Sequence, residues 1–191
     1  MRVISGMARG LKLDSPDGLD TRPTLDRVKE ALFSMLFDKT ADSCVLDLFA
    51  GSGALGIEAL SRYAEKCVFV DSSKNAIDVV RANLKKTPFS DKSEVILSDS
   101  IEYLKMTTGQ FDIIFLDPPY AAGLYEDVLS VIKKRKLLKQ GGLIVAECDT
   151  THELDPQDFE IIKNKNYGKI RLYVLEEPDS YEEDSSISRQ L

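Results

Sequence analysis

The stretch Cys44–Gly56, CVLDLFAGSGALG, decides the fold. An apolar run of strand character leads into Gly51, Gly53 and Gly56, spaced as G-x-G-x-x-G, and helix-forming residues follow. Glycine lets the chain turn tightly there and lets a ligand approach with no Cβ in the way. Asp71 closes the next apolar run, 20 residues after Gly51, where a carboxylate would accept hydrogen bonds from ribose hydroxyls. Strand, glycine loop, helix and second-strand acid together predict a site for an adenosine-containing cofactor. The bland reading makes the glycines a plain turn and the acids helix caps.

Working outward, the chain alternates strand-like runs with segments of helical period. The runs are CVLDLF (44–49), CVFVD (67–71), EVILSD (94–99), FDIIFLD (111–117) and LIVAECD (143–149). Between them Ile77, Val80 and Leu84 share one helical face, and Leu124, Val128 and Val131 another. This is the signature of a parallel sheet covered by helices. After residue 150 two runs, FEIIKN (159–164) and KIRLYVLEE (169–177), flank a short turn, which predicts an antiparallel hairpin at a sheet edge. Five parallel strands plus a C-terminal antiparallel hairpin is a pattern similar to the Rossmann-like class I S-adenosylmethionine methyltransferase sheet, so the expected fold is α/β of that kind with a small N-terminal extension. The expected division is an extension over 1–40, a methyltransferase domain over 41–177 and an acidic, disordered tail over 178–191. Within the extension VISG and LKL read as short strands, and a helix is predicted from Thr24 to Phe37.

Two details favour S-adenosylmethionine over a nicotinamide dinucleotide. Asp47 lies just before the loop, where a carboxylate repels a pyrophosphate but suits a cationic ligand. Asp99 and Ser100 end the third run, where an adenine edge would lie. Phe49 completes the expected cofactor set of Asp47, Phe49, Gly51, Gly53, Gly56, Asp71, Asp99 and Ser100.

The segment FDIIFLDPPY (111–120) carries the chemistry. Asp117-Pro118-Pro119-Tyr120 leaves a buried strand at its carboxyl end, where open α/β sheets bind ligands. The prolines remove donors and leave the Asp117 carboxylate and the Pro118 carbonyl as acceptors. An exocyclic base amine is a weak nucleophile, and two acceptors on its N–H groups would aim its lone pair at a methyl donor. Tyr120 would stack on a base held outside a duplex. The bland alternative is a proline stop and a surface tyrosine.

The 191 residues suit one domain, and 43% hydrophobic content suits a packed core. No apolar stretch is long enough for a membrane helix and no signal peptide is visible, so a cytoplasmic protein is expected. Cys44, Cys67 and Cys148 read as small core residues, and His152 stands alone, so no metal site is expected. The net charge is −7, but residues 176–191 hold six acids against Arg189, so the remainder is close to balanced. The run KKRK (133–136) reads as a solvated helix end.

RVISGMARGLKL (2–13), TRPTLDRVKEALFSML (21–36), LDLFAGSGALGIEALSR (46–62) and DPPYAAGLYEDVL (117–129) together resemble the RsmD-type 16S rRNA guanine-N2 methyltransferases of bacteria. The resemblance covers nearly the whole chain before the acidic tail, which is not a feature of that family. It implies transfer of one methyl from S-adenosylmethionine to N2 of a guanine in small-subunit ribosomal RNA during subunit assembly, by a monomer. Arg2, Arg9, Arg22, Thr24 and Arg27 in the extension are the expected RNA contacts, although Arg22 and Arg27 could instead pair with Asp26 and Glu30. The competing readings are a DNA adenine methyltransferase, a nicotinamide oxidoreductase and an inactive RNA-binding module. A DNA enzyme usually carries a large target-recognition region, for which this chain has no room.

Overall fold

The computed structural model describes residues 1–16, 23–36, 39–118 and 124–178. Chain order is α1 (Pro23–Leu36), β1 (Cys44–Asp47), α2 (Ala54–Ser61), β2 (Lys66–Asp71), α3 (Lys74–Leu84), β3 (Ser93–Leu97), α4 (Ser100–Met106), β4 (Phe111–Leu116), α5 (Leu124–Arg135), β5 (Leu138–Asp149), β6 (Glu160–Tyr167) and β7 (Ile170–Glu176). The seven strands form one sheet in the order β3-β2-β1-β4-β5-β7-β6. β1 to β5 are parallel, and β7 and β6 close one edge as the antiparallel hairpin that the two C-terminal runs predict.

The order reverses at β1, which has β2 on one side and β4 on the other. A crevice therefore opens beyond the carboxyl ends of β1 and β4, where connections leave in opposite directions. Both sheet faces are covered, so the central strands are apolar on both sides and β1 is buried at all four positions. One face packs Val45, Phe69, Ile113, Phe115 and Val145 against α1, α2 and α3. The other packs Leu46, Val70, Ile114 and Ile144 against α4 and α5.

Helix starts follow local chemistry. Ser73 caps α3 by accepting from the Ala76 N–H, and Asp99 caps α4 by accepting from the Ile101 and Glu102 N–H groups. Arg135, inside the basic run, does more than meet solvent. Its guanidinium donates to the Lys105 and Thr107 carbonyls at 2.7 Å each and so closes the end of α4. Cys44, Cys67 and Cys148 are free and buried.

The extension differs from the expectation in one respect. VISG and LKL form no extended strands: one antiparallel bridge joins Arg2 and Lys12, flanked by the Val3 N–H donating to the Leu11 carbonyl and the Leu13 N–H to the Met1 carbonyl, and Gly6 and Gly10 turn the chain between them with φ of +80° and +86°. A side chain at Gly6 would also strike the Ser61 backbone, since a Cβ there would lie 1.7 Å from its carbonyl oxygen. What holds this segment is a buried charge. Glu58 of α2, fully buried, accepts from the Ile4 and Ser5 N–H groups at 2.7 and 3.0 Å and from Arg62 Nε at 2.8 Å. Lys29 of α1 lies 3.3 Å from the same carboxylate and donates to the Arg2 carbonyl at 2.5 Å. Asn83, also fully buried, ties the Asp14 backbone to the Ser52 carbonyl in the glycine loop. Val3, Leu13, Val28, Leu32 and Phe33 then join the main core, so the extension and the sheet share one interior.

Candidate active site

The three glycines after β1 have separate roles. Gly51 has φ +53°, and a Cβ there would meet nothing nearer than the Phe49 carbonyl oxygen at 4.0 Å. Its conformation favours glycine and the space beside it is open to a ligand. Gly56 serves packing: a Cβ would lie 2.3 Å from the Phe69 ring and 2.6 Å from Cys67 Sγ, so its absence lets α2 press onto β2. Gly53 precedes α2 in the left-handed region at φ +77°.

Asp71 fastens this loop. One carboxylate oxygen accepts from the Gly51 N–H at 2.9 Å and the other from the Ser73 N–H at 2.8 Å. The group thus sits beside the loop at the end of β2, half-buried, with lone pairs left over. Asp99 stands at the end of the third parallel segment but spends one oxygen, Oδ1, on capping α4, at 2.9 and 3.1 Å, and Ser100 is buried next to it. Phe49 is half-buried against the α4–α5 side of the core.

Strand register brings the acids together. Asp47 pairs with Phe69 of β2 and Phe115 of β4, and Val145 of β5 also pairs with Phe115. Side chains two apart on a strand share a face, so Asp71, Asp47, Asp117 and Glu147 all rise on the α1–α2–α3 side, at the ends of four adjacent strands. Asp47 is buried and accepts from the Gly56 N–H at 3.0 Å. Burial, with Asp117 and Asp71 nearby, pushes its carboxyl up to about 7. Asp117 is exposed at the end of β4, and desolvation by the protein beside it pushes its carboxyl up to about 6. Glu147, opposite it, is raised first by burial and then by the Asp117 charge. Among the described residues, no lysine or arginine pairs with Asp47, Asp117 or Glu147. An unneutralised cluster in a cleft is arranged to receive donors and positive charge.

Pro118 is buried behind Asp117, while Pro119 and Tyr120 lie outside the described residues. Glu147 went unnoticed in the sequence, where LIVAECD reads simply as a strand. The available signal was parity: Glu147 continues the Leu143–Val145 series on the face that carries Asp117. In the extension, Arg2, Arg9 and Arg27 are exposed, whereas Arg22 and the side chain of Thr24 fall outside the described residues. Arg2 pairs with Asp26 at 2.9 Å, and among the described residues Arg27 forms no ion pair with Asp26 or Glu30. No group of three or more metal-ligating side chains occurs among the described residues, and no described helix is long and apolar enough to cross a membrane.

The sheet order, the terminal hairpin and the glycine loop define the Rossmann-like fold of S-adenosylmethionine-dependent methyltransferases. A family model described as "Conserved hypothetical protein 95" matches residues 1–176, and the chain belongs to that family. Among its curated relatives, "Ribosomal RNA small subunit methyltransferase D" of Haemophilus influenzae is 39% identical, over 91% of this chain and 93% of that protein. The Escherichia coli protein of the same name is 35% identical over 92% and 90%. These are the relatives that the resemblance in residues 2–129 implies. A solved Escherichia coli structure, yhhF, superposes with a TM-score of 0.83 at 34% identity, covering 93% of this chain and 98% of that one. The fold extends to a Thermus thermophilus 16S rRNA N2 G1207 methyltransferase solved with AdoMet and guanosine, with a TM-score of 0.65 at 21% identity over 85% of this chain and 45% of that one.

Proposed function

We propose that the protein transfers a methyl group from S-adenosylmethionine to the exocyclic N2 amine of a guanine in small-subunit ribosomal RNA. The observation that carries this reading is the carboxylate cluster at the ends of β2, β1, β4 and β5, with Asp117-Pro118 at its centre. The names of the 39% and 35% identical relatives support the RNA substrate.

The residues fit the cofactor. A cationic ligand finds carboxylates that pair with no lysine or arginine among the described residues, and Gly51 leaves room beside them. Bound there, S-adenosylmethionine supplies a methyl group on a positively charged sulfur. Asp71 would accept from its ribose hydroxyls, Asp99 and Ser100 would meet its adenine edge, and Asp47 would favour its positive charge. Phe49 and the open backbone at Gly51 line the space between them.

On the substrate side, the Asp117 carboxylate and the Pro118 carbonyl accept the two amine N–H bonds. The nitrogen lone pair is then directed at the methyl, and Asp117 takes up the proton that the amine sheds. Tyr120 stacks on the base. Glu147 bears on which base is chosen. Guanine carries an N1–H donor beside its N2 amine, whereas adenine carries an N1 acceptor beside its N6 amine. With its carboxyl raised to about 8, Glu147 accepts from the guanine N1–H only once ionised, so any preference it gives for guanine over adenine grows as pH rises through that value. Arg2, Arg9, Arg22, Thr24 and Arg27 hold RNA phosphates.

The test is to supply radiolabelled S-adenosylmethionine with ribosomal RNA, with small subunits and with DNA, then digest to nucleosides. Label in N2-methylguanosine from RNA is expected. Label in N6-methyladenine from DNA would replace this reading with its competitor.

A further inference from the structure

A groove of about 530 Å³ runs along the sheet edge between α1 and β6, with Ala31, Ser34 and Met35 on one wall and Lys163, Lys165 and Tyr167 on the other. It lies on the carboxylate-bearing side of the sheet. Lys165 pairs with Leu172 of β7, which pairs with Glu147 of β5, so the three side chains form one row on one face. Two strand spacings, about 10 Å, separate Lys165 from Glu147.

Direction matters as much as position. Within α1, Lys29 meets Glu58 near the middle of α2, and four residues later Phe33 meets Arg62 past the end of α2. α2 descends from the glycine loop, so α1 descends beside it and its N-terminal end points toward the cleft. β6 is parallel to β5 and rises toward the same end, finishing at Tyr167. Arg27 is exposed and lies on the stripe of α1 that carries Ala31 and Ser34, at helical spacings of four and seven. The groove therefore opens at the cleft between Arg27 and the β6–β7 turn.

Its charge is graded along its length. Residues 161–175 hold Lys163, Lys165, Lys169 and Arg171 and no acid, whereas Glu160, Glu176 and Glu177 lie at the opposite end of the hairpin. Lys165 and Lys169 are exposed, and Lys165 lies 5.6 Å over the Tyr167 ring. In a chain of net charge −7, a cationic strip leading to an acidic cleft is specific to one kind of ligand. The cleft suits the cationic cofactor and the amine, and the strip suits a polyanion attached to that amine.

We propose that the α1–β6 groove is the track along which the RNA strand leaves the cleft, its phosphates held by Arg27, Lys165 and Lys169. The proposal rests on the RNA-methylating reading and, through Arg27, extends the RNA surface of the N-terminal extension onto the β6–β7 hairpin. The charge-reversed pair Lys165→Glu with Lys169→Glu tests it, with Lys92→Glu, on the far side of the sheet beside β3, as control. Small ribosomal subunits and guanine-containing RNA oligonucleotides of increasing length serve as probes, with affinity measured across a salt series.

The double variant is expected to bind small subunits and long oligonucleotides roughly tenfold more weakly, with a log-affinity salt slope shallower by about 0.7 for each lost phosphate contact. Affinity for S-adenosylmethionine, thermal midpoint and binding of the shortest oligonucleotides should match the parent. Unchanged affinity and salt slope for long RNA would overturn the groove while leaving the RNA-methylating reading intact. A parent protein that binds no RNA of any length would instead defeat that reading, and the groove with it. A parent dimer that the double variant splits, at unchanged RNA affinity, would assign the groove to a second copy of this chain.

Discussion

The Glu58 carboxylate and the cluster of Asp47, Asp117 and Glu147 lie on the same side of the sheet and have opposite surroundings. Glu58 receives two backbone N–H groups, Arg62 and Lys29, so its charge is matched in place. Asp47 has one N–H partner, and Asp117 and Glu147 lack cationic partners among the described residues. Desolvation raises all three of these carboxyls. A satisfied buried charge fixes an architecture, because losing any partner strands the rest. An unsatisfied cluster costs stability in the free protein and is reasonable only where a ligand completes it. The difference separates the clamp that holds the extension from the site that does chemistry.

Breaking the satisfied side should have the largest effect. Glu58→Ala leaves Lys29 buried without its partner and two N–H groups without an acceptor. Urea denaturation is expected to register a loss of about 3–5 kcal/mol. A loss under 1 kcal/mol would mean that the extension is held by apolar contacts alone.

On the unsatisfied side, Asp71→Ala removes the acceptor of the Gly51 and Ser73 N–H groups together with the proposed ribose contact. Calorimetry is expected to find S-adenosylmethionine bound roughly 10- to 100-fold more weakly, the worth of a charge-assisted hydrogen bond. Unchanged affinity would remove Asp71 from the cofactor site.

The smallest effect concerns pH. Asp47 titrates near 3.8 in an unfolded chain and at about 7 in the fold, so the folded state holds the extra proton between those values. Its contribution to stability therefore falls as pH rises from about 4 to about 7 and is level above that. Asp47→Asn keeps an acceptor for Gly56 and cannot ionise. Its stability loss between pH 5 and pH 8 should be smaller than the parent's by about 1 kcal/mol or more. The remaining slope belongs to Asp117 and Glu147, whose raised carboxyls act in the same sense. Identical slopes for variant and parent would show that Asp47 does not carry the strain.

The same comparison explains what was legible in the sequence. Strand, glycine loop and helix around Gly51–Gly56 are local patterns, as are Asp71 and Asp117 at the ends of apolar runs, and the structure places them there. The terminal hairpin was also legible, from two strand-like runs across a short turn. Glu147 was not, because its meaning depends on which strand lies beside β4 and in what register. Glu58 sits in a helix whose other described positions are nearly all apolar, and nothing within ALGIEALS says that residues 2–5 and Lys29 will gather on it. The groove beside β6 needs the order of the sheet and the direction of α1 together. Short strands in the extension were over-read, since two glycines at positive φ keep them to one bridge.

In the proposed reaction, Asp117 positions the amine at the ends of β1 and β4 while separate groups hold the cofactor. Asp117→Ala tests it most directly, with single-turnover methyl transfer and calorimetric S-adenosylmethionine affinity measured on the same preparation. Transfer should fall by roughly 10²–10³-fold or more, while the cofactor affinity stays within a few-fold of the parent. Near-normal transfer by that variant would contradict the account.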